Sequence, residues 1–299
     1  MGDLITAEFR KILTTKLWWA LLIPALAMAF FVALGWSALA TDAADGLASD
    51  SVFSRFDVPI DEISWSVIAL TRAINLSSIF PMVFGALAIS SELRHRTITT
   101  TFLTSPTRAA VLGAKAVTYV IWGLIYGVAV ALLVSAGTAT GASSNYLPDG
   151  KQWFLILLAG IIQIVLWTLV GVGVGALIGS TTGAVVILLV YSLIVGPVSE
   201  LALASTDVPN LAGAMLNGSA NGLTGSTAST LLFDQIQEIV LSRGGEISAD
   251  TKDNVEIVVR AAAGAPGAFS LWLSGLIFLA WTAVLFGAGL ARNAKRDIT

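Results

Sequence analysis

The charged side chains best placed to act on other molecules lie together in one short segment of this 299-residue chain. Residues 91–108 read SELRHRTITTTFLTSPTR and connect two apolar runs of membrane-spanning length. Arginines beside an acidic residue and a few apolar side chains can bind a protein groove or phospholipid head groups. The segment therefore predicts contact with something outside the bilayer.

Residue types that support catalysis are scarce. His95 is the only histidine and there is no cysteine, which excludes two-histidine metal motifs, disulfides and a thiol nucleophile. The glycine-rich run at residues 171–175 follows no predicted strand, and no Gly-Lys-Ser/Thr sequence ends a phosphate-binding loop. We expect a chain that is not an enzyme, holds no cofactor of its own and binds no nucleic acid.

Two ionisable residues, Arg72 and Glu200, fall inside apolar runs, where such side chains often mark an ion or substrate path. We expect Arg72 to extend to the outer interface or to pair with an acidic residue of the first outer loop. Glu200 follows Gly196 and Pro197, which can kink or end a helix. It can face a substrate path or meet water, and the sequence leaves both open.

Composition sets the class of protein that must position these groups. Hydrophobic residues make up 56% of the chain and charged residues 12%, with a mean hydropathy of +0.85. The apolar residues occur in blocks long enough to cross about 30 Å of hydrocarbon as helices. We predict an all-α integral membrane protein with six spans, near residues 18–40, 66–91, 112–138, 153–178, 183–204 and 268–291.

Basic residues predict the orientation. With both ends of the chain in the cytoplasm, ten Lys and Arg residues lie on inside segments and five on outside segments. This bias follows the positive-inside rule. We therefore expect a multi-pass protein of the inner (cytoplasmic) cell membrane with both termini cytoplasmic.

The segments outside the spans divide the rest of the chain. Residues 1–17 predict an amphipathic helix at the membrane surface, and 18–204 hold spans one to five with the charged connection at 91–110. Residues 205–267 predict an outer segment, in which a Gly- and Asn-rich stretch suits a re-entrant excursion. A helix starting at Ser229 or Thr230 and another from about Asp250 would form a small helical cap. Residues 268–299 hold span six and a basic tail.

Small residues predict one helix contact. Gly171, Gly175 and Gly179 recur every four residues in and after span four. This spacing gives one smooth helix face that a neighbouring helix can approach closely.

The connection after span two resembles that of the permease subunits of the type-2 exporter family of ATP-binding-cassette (ABC) transporters. In that family it carries an acidic residue, basic residues, a threonine, a Leu-x-Ser/Thr-Pro-x-x-Arg segment and a later lysine. The matching residues here are Glu92, Arg94, Thr97, Leu103, Ser105, Pro106, Arg108 and Lys115. The family commonly has glycine before the threonine, where this chain has Arg96, and this departure predicts a different turn. The likeness in layout extends over essentially the whole chain.

The resemblance implies a coupling helix that seats in a groove of a separate ATPase. Two ATPase subunits, carrying ATP and magnesium, would serve a pair of permease subunits, identical or similar. The contact residues implied are Glu92, Leu93, Arg94, Arg96, Ile98, Phe102, Leu103, Pro106 and Arg108. Glu8, Phe9 and Arg10 of the first helix would brace the same contact, and the cargo would be amphipathic, lipid-like or drug-like.

Two other classes of function fit the same sequence. One is a secondary transporter driven by an ion gradient, which would be expected to carry more buried acidic residues at mid-depth. The other is a membrane-anchored assembly or sensor protein, which the outer cap could support. A basic connector that only fixes topology is the simplest interpretation of residues 91–108.

Overall fold

A computed structural model of the chain describes residues 2–49, 63–94, 107–206, 208–242 and 249–295. Within these ranges every regular element is helical. In chain order the helices are α1 (Gly2–Thr14), α2 (Leu17–Ser49), α3 (Val67–Ser77), α4 (Ile79–Arg94), α5 (Arg108–Gly141), α6 (Gly150–Ile178), α7 (Thr181–Val190), α8 (Gly196–Ala204), α9 (Asn210–Ala214), α10 (Leu216–Ser242), α11 (Ala249–Ala262) and α12 (Leu271–Lys295). A π-helical turn, Tyr191–Val195, joins α7 to α8.

Six stretches of these helices are long and apolar enough to cross a membrane: Leu17–Ser49, Val67–Arg94, Ala110–Gly141, Gly150–Ile178, Thr181–Ala204 and Leu271–Asn293. We refer to them as spans one to six. The prediction of an all-α membrane protein with six spans is confirmed. Span one was predicted to end at residue 40. Its helix continues for nine more residues, to Ser49, past the end of the apolar run.

Spans two and four form the centre of the bundle. In the most apolar part of span two, 72% of the residues are buried. The corresponding shares for spans one, five and six are only 17%, 22% and 22%. Glycines bring the two central spans together. A Cβ atom on Gly171 or Gly175 would overlap the carbonyl oxygen of Met82 or Ala86 across the contact. Backbones can therefore touch here, as small-residue packing in membranes requires.

Gly179 does not belong to this packing face. It adopts the left-handed conformation (φ 70°) and caps the carboxyl end of span four, where its N–H group bonds to the carbonyl oxygen of Gly175. Glycine is favoured at such a position because it has no side chain to strain the backbone. A four-residue spacing alone does not separate a packing glycine from a capping one.

The segment between spans five and six was predicted to form a small outer cap, but part of it packs inside the helix bundle. Helix α10 begins at Leu216, well before the predicted start at Ser229 or Thr230, and its first half is buried against spans four and six. Leu216 and Leu223 share a core cluster with Trp167 and Phe278 of those spans. Helix α11 begins at Ala249, close to the predicted Asp250.

Candidate functional site

The first candidate site lies where α1 meets the ends of spans two and three. The side chain of Lys115 is fully buried, and its ammonium donates to Glu8 Oε2 at 2.8 Å and to Glu92 Oε1 at 2.6 Å. Lys11 also forms an ion pair with Glu92. Two carboxylates and two ammonium groups thus form one cluster, which we call the ion cluster. It joins three helices that are separate in sequence.

Aromatic side chains also pack α1 and the start of span one against spans two and three. Phe9 stacks on Trp122 of span three, with 6.2 Å between ring centroids, and Trp18 also packs on Trp122 at 5.6 Å. Phe84 of span two contacts the same indole ring at 5.8 Å. Trp122 and Phe84 stand about two helical turns from Lys115 and Glu92 along their helices, so the rings form a second contact beside the charges. Together they fix α1 against spans two and three.

The ion cluster flanks the connection predicted to be functional. Glu92 stands two residues before the end of span two, and Lys115 stands in the second turn of span three. Leu93 is half-buried against the core, and Arg94 Nη1 donates to Thr181 Oγ1 of span five at 2.9 Å. The two helix ends that hold the connection are therefore tied to each other and to α1.

Several predicted contact residues lie outside the described residues: Arg96, Ile98, Phe102, Leu103 and Pro106. Arg108 is the first residue of α5. Arg10 is exposed and is not part of the ion cluster. The structure thus brings together Glu8, Phe9 and Glu92 of the predicted set.

Sequence reasoning missed the importance of two lysines. Lys115 was counted as a basic residue beside span three, yet it lies inside the helix and is fully buried. No individual role was predicted for Lys11. A lysine inside the predicted span 112–138 was the available signal, because a buried cation requires an anionic partner.

The second candidate site is a cavity of about 340 Å³ among spans one, two and five, α10 and the end of α11. Arg72 and Glu200 both line it, with Asn75 and the amides of Asn217 and Asn221. Glu200 is only 3% exposed. Its side chain therefore lies within the bundle on a cavity wall, and a substrate path at this residue stays a prediction.

Arg72 has partners that the sequence did not indicate. Its Nε donates to the carbonyl oxygen of Ala262 at 3.1 Å and its Nη2 to that of Ala261 at 2.6 Å, both at the end of α11. The guanidinium also lies 5.5 Å from the ring centroid of Trp36 in span one. Negative partial charge at a helix carboxyl end favours such a cation. Arg72 therefore ties span two to the segment before span six.

Polar side chains also hold α10 within the bundle. The fully buried Gln163 of span four donates to Asn75 Oδ1 at 2.9 Å, and Thr224 of α10 donates to Gln163 Oε1 at 3.3 Å. Buried amides need such partners in an apolar setting. The trio links spans two and four to α10 beside the cavity.

Span five changes its helical pitch at the cavity. Pro197 has no N–H group, and the N–H of Gly196 bonds to the carbonyl of Tyr191 five residues earlier, which produces the π-helical turn. The predicted break at Gly196 and Pro197 thus appears as a local widening, and the helix continues to Ala204. Gly196 has room for no side chain because Asn217 packs against it.

Comparison with known proteins adds no identification. No family model matches the chain, and no curated protein matches it either. The class that the fold defines is a multi-pass α-helical membrane protein with six candidate spans. Any more particular function has to be argued from the two sites.

Proposed function

We propose that this chain is the permease subunit of an ATP-driven ABC exporter, set in motion by separate ATPase subunits that dock on residues 91–110. In this proposal two ATPase subunits, which carry ATP and magnesium, act on a pair of permease subunits in the inner membrane. The termini and the 91–110 connection face the cytoplasm. The cargo is amphipathic, lipid-like or drug-like.

The observation that carries the proposal is the ion cluster. A force applied to residues 95–106 would reach both flanking helices, and Lys115 joins Glu92 on one of them to Glu8 on α1. Because the three helices share buried charges, they would move together rather than slide apart. A connector that only fixed topology would not require a fully buried lysine on one side of the loop paired with a buried glutamate on the other.

The central position of span two supports the same interpretation. Span two continues directly from Glu92 into the most buried part of the bundle and packs on span four through Gly171 and Gly175. Movement at its end is therefore passed to the helices that line the cavity. Packed interfaces tend to switch between discrete arrangements, which suits an alternating pathway.

The apolar residues of the connection provide the test. Replacing Phe102 by Asp should abolish the co-purification of an ATPase and ATP-dependent transport, because a charge would enter the apolar groove. Membrane insertion should be unchanged. Phe102→Leu, which keeps the apolar volume, is the matched control and should retain both activities.

Two results would contradict the proposal. One is normal recovery of ATPase activity with the Phe102→Asp protein. The other is uphill transport by the purified chain in vesicles without any companion subunit. A reporter fused after Thr299 that is active only outside the cell would overturn the orientation.

An ion-coupled secondary transporter is the second candidate, because Glu200 is a buried carboxylate on a cavity wall. Buried acidic residues in membrane proteins often carry protons or bind cations. Vesicles that contain only this chain distinguish the two functions. Transport that follows an imposed proton or sodium gradient would favour the second candidate, and transport that requires ATP and an ATPase would favour the first.

A further inference from the structure

The cavity between spans two and five contains two opposite charges that do not neutralise each other directly. Glu200 and Arg72 both line its wall. Both residues are described by the structure, and no ion pair joins them. A ligand that carries both a positive and a negative group would give each side chain an oppositely charged partner.

Glu200 lacks a donor on one oxygen. Asn221 Nδ2 reaches Glu200 Oε2 at a long 3.5 Å, whereas Oε1 is buried and has no hydrogen-bond partner. A buried carboxylate oxygen without a donor is costly unless the group is protonated or a cation approaches it. A ligand ammonium group would supply both the charge and the hydrogen bond.

Arg72 is held in place but keeps its charge. Its two described hydrogen bonds go to neutral backbone carbonyls, and its face lies over the neutral ring of Trp36. Such contacts orient a guanidinium without cancelling its field. An anionic group in the cavity would be attracted to it, and a phosphate or carboxylate fits the fork of donors that arginine presents.

The remaining wall is mixed in character. Trp167, Met82 and Leu201 provide apolar surface, and Ser192 lies in the π-helical turn. Single π-helical turns often mark functional sites, because they turn side chains away from the regular helical positions. A cavity of about 340 Å³ accommodates a small polar head group and the start of an apolar chain.

We propose that this cavity binds a zwitterionic head group, with a primary ammonium at Glu200 and a phosphate or carboxylate near Arg72. The apolar wall favours an amphiphile over a purely polar solute. As a ligand for a transporter it rests on the function proposed above. The binding measurement needs no ATPase, so the two proposals can fail separately.

The test compares phosphatidylethanolamine with its N-acetyl derivative, which keeps the phosphate and loses the ammonium. Binding of each lipid to the purified full chain in detergent is measured by native mass spectrometry. The unmodified chain should bind phosphatidylethanolamine roughly tenfold or more tightly, the effect expected for one charge-assisted hydrogen bond. Glu200→Gln should remove this preference. Glu238→Gln, which removes an exposed carboxylate of α10 outside the cavity, should preserve it.

Equal binding of the two lipids by the unmodified chain would overturn the proposal. A preference that survives in Glu200→Gln would also overturn it, because glutamine keeps the shape of the carboxyl group but has no negative charge to attract the ammonium. If that variant does not fold, the lipid comparison on the unmodified chain still decides, because the deletion is made on the ligand. Competition by glycerophosphoethanolamine would support the site and assign it to a soluble zwitterion, whereas a failure to compete would assign it to the lipid.

Discussion

Replacing Lys115 by Met should detach α1 from the bundle. Lys115 donates to Glu8 and Glu92 from a side chain with no exposure, so its loss leaves two buried carboxylates with only Lys11 nearby. Breaking a buried ion pair from one side costs about 3–5 kcal/mol. Lys11 is 45% exposed and can move inward to compensate partly, so we expect about 3 kcal/mol, or roughly a hundredfold fall in the ratio of docked to undocked α1. Methionine keeps the length and apolar stem of lysine.

Cysteine cross-linking can measure this docking without background, because the chain contains no cysteine. Phe9→Cys and Trp122→Cys place thiols at two rings whose centroids lie 6.2 Å apart. A short bifunctional reagent should link them efficiently in the parent chain and poorly with Lys115→Met. Lys16→Met, which removes an exposed lysine beyond α1, is the control.

A further variant separates loss of charge balance from general damage. Combining Lys115→Met with Glu8→Gln and Glu92→Gln removes the uncompensated carboxylates, and docking should recover relative to Lys115→Met alone. If cross-linking in Lys115→Met equals that of the Lys16→Met control, the ion cluster does not hold α1. A push on the connection would then not be passed to α1 through these charges.

Two other predictions concern the ion cluster and the helix contact. Burial and the nearby charge of Lys115 lower the pKa of Lys11 from 10.5 to about 8, so its contribution to the free energy of unfolding should rise as pH increases from about 8 to about 10.5. The pH dependence of its acetylation, read by peptide mass spectrometry, should give a midpoint near 8 that moves upward in Lys115→Met; a midpoint near 10.5 in the parent would contradict the assignment. Gly171→Ala should lower the melting temperature in detergent by overpacking worth about 1–3 kcal/mol, because its Cβ would overlap the backbone of span two. Gly35→Ala in span one meets nothing within 4 Å and should be neutral or slightly stabilising, and equal effects of the two changes would count against close backbone contact there.

The sequence predicted the fold well because hydrocarbon thickness leaves little freedom. A run of about twenty apolar residues must form a helix to satisfy its backbone in a bilayer, so span positions follow from composition. The ends were less certain. Span one continues to Ser49 through polar residues, where local hydrogen bonding and not hydropathy decides the boundary.

Helix α10 shows what composition could not predict. Its first turns carry Gly218, Gly222 and Gly225, which are poor helix formers in isolation. In the bundle each of them allows a close approach, to Ala212, Ser274 and Ala265 respectively. Packing against neighbouring helices therefore overrides local propensity, and the helix begins thirteen residues before Ser229.

Only some residues of the two sites could be predicted from the sequence, for a similar reason. Glu8 and Glu92 were predicted through the family resemblance and Glu200 as a charge inside an apolar run, but their partners come from distant parts of the chain. Glu8 and Lys115 are 107 residues apart, and Arg72 and Ala262 are 190 apart. One sequence gives no measure of such proximity.

Span two connects the two sites physically. It carries Glu92 of the ion cluster near one end and Arg72 of the cavity near the other, about 30 Å apart at 1.5 Å per residue. Between them Ser78 keeps helical dihedral angles, and a backbone hydrogen bond is missing one turn on, because Pro81 has no N–H group to donate to the preceding turn. If the helix bends there, the end proposed to meet an ATPase and the end that lines the cavity would tilt by different amounts. If span two moved as a straight rod, Arg72 would be pulled from the carbonyls of α11 whenever the connection moved. In the proposed mechanism, bending at the missing hydrogen bond would let the Glu92 end swing while Arg72 stays anchored, and a push at residues 95–106 would first change the packing around Met82 at the cavity wall.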